Sequence, residues 1–102
     1  MDENNAVEVY KNNTLDFYVN LSGLEDYSDF TAYLTVKKNY HATDALIEKT
    51  GTITAEKAEF SIDATDNNIP AGVYYYDVVI ESSSEKYTVT QSTYTILKSV
   101  KY

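Results

Sequence analysis

Val73-Tyr74-Tyr75-Tyr76-Asp77-Val78-Val79-Ile80 is the stretch on which the fold turns. Taken alternately, Tyr74, Tyr76, Val78 and Ile80 make one face, and Val73, Tyr75, Asp77 and Val79 the other. Seven of the eight positions are aromatic or β-branched, the residue types that suit a pleated surface. Both faces are mostly apolar, which predicts a central strand whose outer face is also partly covered.

Working outward, period-two alternation recurs on both sides. Leu15, Phe17, Val19 and Leu21 alternate with Asp16, Tyr18 and Asn20; Phe30, Ala32, Leu34 and Val36 alternate with Thr31, Tyr33, Thr35 and Lys37; Ala58, Phe60 and Ile62 alternate with Glu59, Ser61 and Asp63. Each run reads as a strand with one face in a core and one in water. Ala45–Lys49 and Thr52–Ala55 read as two short strands around Gly51, in preference to a brief helix capped by Thr43. Glu85–Val100 reads as a long last strand, with a bulge or bend where the polar phase changes at Thr90-Gln91-Ser92. Between the runs lie turn-forming clusters: Gly23–Asp29, Asn39–Asp44, Asp63–Gly72 and Ser82-Ser83-Ser84. Gly72 is placed to take a positive φ ahead of its strand. Residues 1–11 are expected to be a loosely ordered or edge segment.

About seven strands with turn signals every eight to twelve residues predict an all-β chain, an immunoglobulin-like β-sandwich of about seven antiparallel strands. A small barrel is the alternative; three glycines argue against the corner kinks that a tightly coiled barrel needs.

Composition narrows the function. The 102 residues suit a single domain over 1–102. Sixteen Asp and Glu outweigh eight basic residues, all of them Lys, for a formal charge of −8. Such a chain repels a phosphate backbone and lacks the arginine fork that recognises one, so no nucleic-acid partner is expected. With no cysteine and one histidine, thiolate catalysis, disulfides, structural zinc and multi-histidine metal sites are excluded. No cofactor is expected. No stretch approaches the ~20 apolar residues of a membrane span, and the acidic start is unlike a secretory signal. Synthesis in the cytoplasm and no membrane partner are the expectations.

Several quoted runs carry a family likeness. Thr14-Leu15-Asp16-Phe17 opens the first long strand, and Phe30-Thr31-Ala32-Tyr33-Leu34-Thr35-Val36-Lys37 follows an acidic loop. Later come Ile69-Pro70-Ala71-Gly72-Val73-Tyr74-Tyr75-Tyr76-Asp77-Val78 and a closing Tyr94-Thr95-Ile96. In order and spacing, residues 12 to 98 resemble the immunoglobulin-like domains of tailed-bacteriophage structural proteins, above all the N-terminal domain of baseplate upper proteins. Ser82-Ser83-Ser84-Glu85 stands where such domains usually carry an Asp-Gly hairpin. The resemblance implies a non-enzymatic virion protein of the baseplate or tail, made in the host bacterium. It also implies contact with other virion proteins in a symmetric homo-oligomer.

The candidate residues follow. In an immunoglobulin-like topology the strands carrying Tyr33 and Tyr75 are neighbours, so these outward rings are expected to share one exposed patch with Val73 and Val79. That patch suits subunit contact, and equally suits stacking on the sugar ring of a surface glycan. The bland reading is a cross-strand pair that only stabilises the sheet. Tyr74, two residues after Gly72, is expected to form a tyrosine corner, a structural hydrogen bond to upstream backbone. Glu25, Asp26 and Asp29, and Asp63, Asp66, Asn67 and Asn68, are oxygen-rich but lack a calcium-loop spacing, so they read as solvated acidic loops. His41 beside Asp44 lacks a nucleophile and an oxyanion site. No catalytic residue is expected. A third reading, an acidic mimic of nucleic acid, rests on charge alone, and interleaved lysines at Lys37, Lys38, Lys49 and Lys57 weigh against it.

Overall fold

The computed structural model describes residues 6–21, 27–39, 41–54 and 56–101. Among the described residues seven strands form: β1 Val7–Tyr10, β2 Leu15–Asn20, β3 Thr31–Lys37, β4 Ile47–Thr54, β5 Lys57–Ile62, β6 Gly72–Glu81 and β7 Lys86–Leu97. No helix occurs among the described residues. The strands lie in one mixed sheet in the order β1-β7-β6-β3-β4-β5-β2.

Seven strands are found, though not the same seven. The expected pair around Gly51 is a single continuous strand, β4, and the place it vacates is taken by β1 within the segment 1–11. Alternation explains both. Ile47, Lys49, Gly51 and Ile53 keep one phase through the glycine, and Val7 and Val9 are buried where Glu8 and Tyr10 are exposed. Not every pairing is antiparallel: β1 runs parallel to β7, with Val7 opposite Tyr94 and Tyr10 opposite Leu97.

Strand β4 joins the two halves of the sheet. Ile47–Gly51 pairs with β3, and Thr52–Thr54 pairs with β5. At the changeover the backbone lies so close to β5 that a Cβ on Gly51 would meet the Glu59 carbonyl oxygen and the Phe60 ring at 2.6 Å. No larger residue fits there without moving β5. One glycine thus serves where a sheet bends into its other half.

Inward side chains from every strand share one core, which includes Val7, Val19, Leu34, Ile47, Phe60, Tyr76 and Ile96. Full burial of such a side chain contributes about 1.5–3 kcal/mol. Across the core Phe17 of β2 meets Tyr76 of β6 edge-on, with ring centroids 5.5 Å apart, and Tyr76 meets Tyr94 at 6.3 Å. The edge-to-face arrangement sets the positive rim of one ring against the negative face of another.

The β6–β7 hairpin is long, and its turn is built by serine. Ser82 N–H donates to the Glu85 carbonyl at 2.8 Å, while Ser84 and Glu85 N–H groups donate to Ser82 Oγ. A register shift falls between Val78 and Val79, opposite Thr90 and Thr88. The irregularity in β7 therefore centres on Val89, just before the expected Thr90-Gln91-Ser92. Gly72 enters β6 with φ of 154°, a conformation that side-chain-bearing residues rarely adopt.

Candidate functional site

Strands β4, β3, β6 and β7 lie side by side and present one outer face. The pairing register places its side chains in three rows. Thr50, Tyr33, Val79 and Thr88 form the first; Glu48, Thr35, Asp77 and Gln91 the second; Lys37, Tyr75 and Thr93 the third. All of these but Thr88 and Thr93 line an open groove of about 580 Å³ whose walls include Tyr33, Thr35, Lys37, Tyr75, Asp77 and Gln91.

All four expected patch residues lie on this face, but they are not one apolar surface. Tyr33 is 38% exposed and sits directly opposite Val79; Val73 is 55% exposed at the start of β6. Tyr75 and Val79 are half-buried. Tyr75 faces Lys37 across the strands, and Tyr33 lies four residues of β6 away, about 14 Å by strand geometry. Between the two tyrosines runs the polar row, with Asp77 at its centre.

Asp77 is the feature that sequence reading passed over. It was visible as the lone charge in an apolar strand, and its weight comes from what surrounds it. Partial burial raises its carboxyl above the ordinary 3.8, while the Lys37 ammonium pulls it back down. At the end of the groove Lys86 Nζ lies 3.6 Å from Glu81 Oε2. Asp77 and Glu81 thus each have a lysine near them, while Glu48 adds a further negative charge to the face.

Tyr74 lies on the buried side of β6, and its hydroxyl donates to the Pro70 carbonyl at 2.6 Å. That bond fastens the strand to the turn leading into it, a structural role.

The second oxygen-rich loop is solvated at Asp63 and Asn68, which are exposed, but not at Asn67. Asn67 is 0% exposed. Its side-chain amide donates to the Asn13 carbonyl at 2.7 Å, its own carbonyl accepts the Asn12 N–H at 3.0 Å, and its Oδ1 accepts the Tyr94 hydroxyl at 2.5 Å. Asn12, at φ of 64°, takes the left-handed conformation that asparagine tolerates. Asp66 in the same loop pairs with Lys49 at 2.7 Å, and that hydrogen bond holds the Lys49 ammonium above its ordinary value. Burial pushes the Tyr94 phenol up. The loop is a bolt joining β4, β7 and the β1–β2 turn. Sequence periodicity cannot find such a residue, because a buried amide in a turn has the same composition as an exposed one.

Of the first acidic loop, Glu25 and Asp26 lie outside the described residues, and Asp29 is exposed. His41 and Asp44 are exposed, and the His41 N–H donates to Asn39 Oδ1. Among the described residues no group of three or more His, Cys, Asp or Glu is placed to hold a metal ion. No described helix is long and apolar enough to cross a membrane. No protein-family model matches the chain, and no curated protein matches it.

Proposed function

We propose that the chain is a non-enzymatic, immunoglobulin-like module of a phage virion that works by contact across the outer face of β4, β3, β6 and β7. The observation that carries this is the placement of Tyr33, Val79, Tyr75 and Val73 on one face with Tyr33 and Val73 exposed. Rigid rings on a sheet offer contact area at little entropic cost. The immunoglobulin-like part is supported by the strand order, by β1 lying parallel to the last strand, and by the Tyr74 hydrogen bond.

The sequence resemblance supports another virion protein of the baseplate or tail, or a second copy of the chain, as the partner. The absolute mass in solution tests that partner. Light scattering over a range of concentrations is expected to give a multiple of 11.5 kDa that drops to the monomer in a Tyr33→Ala, Val73→Ser variant. A monomer at every concentration, with no protein retained on the face, sinks the assembly role. The groove between the two tyrosines favours a second reading, a sugar-binding module for a host surface.

A further inference from the structure

The outer face separates its aromatic residues by a polar row. Interface cores between proteins exclude charge from their centre. Here the centre is the row Glu48, Thr35, Asp77 and Gln91, and the aromatic groups stand on either side of it. Any partner that covers this face must supply donors to the Asp77 carboxylate, because burying it unpaired is costly. A saccharide chain has the complementary pattern. Its rings carry apolar C–H faces that stack on aromatic rings, and its hydroxyls are donors and acceptors along the edges.

Resting on the reading of this face as the working surface, we infer that the groove binds a short linear neutral glycan, with Tyr33 and Tyr75 as its two stacking platforms and Asp77 and Gln91 as its central hydrogen-bonding pair. The span of about 14 Å between the tyrosine positions has the length of an oligosaccharide, not of one sugar. The groove of about 580 Å³ falls in the size range of small-ligand sites. The side chains of the polar row match the edges of such a chain. A carboxylate accepts from two hydroxyls, an amide donates and accepts, and a threonine hydroxyl does either. Charge selects the class. Lys37 acts on Asp77 from the next row, Lys86 pairs with Glu81, and Glu48 adds a further carboxylate, so the groove presents no surplus positive charge to hold a sulfated or sialylated chain, and the chain's −8 repels one.

The test is calorimetric titration of the intact chain with neutral linear tetrasaccharides and hexasaccharides of glucose and of N-acetylglucosamine, with heparin fragments as the anionic control. Saturable binding of a neutral hexasaccharide is expected, with affinity about tenfold lower in Tyr33→Ala. Since Tyr75 is half-buried, Gln91→Ala and Asp77→Asn serve beside Tyr75→Ala as variants that spare the packing; both are expected to weaken binding, Gln91→Ala with an unchanged thermal midpoint and Asp77→Asn with one that does not fall. Heparin binding in place of neutral binding overturns the inference. So does the absence of saturable binding to every neutral chain. If Tyr33→Ala instead lowers the solution mass and no neutral chain binds, the glycan is wrong and the working surface stands. If it changes neither, both fall.

Discussion

Around Asn67 and around Asp77 the chain assembles similar parts, a tyrosine beside an amide or an acid, and puts them to opposite use. Asn67 satisfies its amide and carbonyl within the protein, on Tyr94, Asn13 and Asn12. Asp77 sits on the far side of the sheet in an open groove, flanked by Lys37 and Gln91. Polar groups consumed by their own chain hold a fold together; polar groups left facing a groove are available to a ligand. Among the described residues no buried side-chain nitrogen or oxygen lacks a partner, so the bolt is complete as it stands.

The contrast can be broken from the Asn67 side first, where the largest effect is expected. Asn67→Ala leaves the buried Tyr94 hydroxyl without its acceptor and takes the amide away from the Asn13 carbonyl, and is expected to cost about 2–3 kcal/mol of stability. Urea unfolding measures it, and a loss below about 0.5 kcal/mol would show that water replaces the amide. Tyr94→Phe removes only the phenolic donor and keeps the ring against Tyr76. A loss of about 1.5 kcal/mol is expected from the same titration. Equal losses in the two variants would mean that Asn67 acts through Tyr94 alone.

On the Asp77 side the expected effect is smaller and depends on pH. Burial raises this carboxyl in the folded protein above its ordinary 3.8, so the folded state holds its proton where the unfolded chain has released it. Stability from this group is therefore full below pH 3.8 and is lost as pH rises through the raised folded value. Asp77→Asn is expected to remove that decline. Thermal midpoints of both proteins across the acid range check it; parallel curves would mean that Lys37 cancels the burial.

Much of this was legible in the chain. The alternation of 73–80 marked β6 as a central strand, and the same parity set Tyr33, Tyr75, Val73 and Val79 on one face. What escaped has a common physical reason. Val7–Tyr10 is four residues long, too short for periodicity to separate from a tail, yet its parallel ladder to β7 fixes it. Gly51 looked like a break between strands because a glycine is ordinarily a punctuator; only the approach of Glu59 and Phe60 reveals why it stands inside one. Asn67 looked solvated because its partners come from turns distant in sequence.

The parallel pairing of β1 with β7 also has a mechanical meaning. Val7 lies beside Tyr94 and Tyr10 beside Leu97, and the ladder is prolonged by the Lys11 N–H donating to the Leu97 carbonyl at 2.9 Å. A tug on the chain ahead of β1 and beyond β7 pulls the two strands past each other along their length. The hydrogen bonds between them are then loaded together in shear, whereas an antiparallel pair pulled at its open end gives way one rung at a time, like a zip. Resistance to such a pull is set by the rate of rupture under load, not by the equilibrium between folded and unfolded chains.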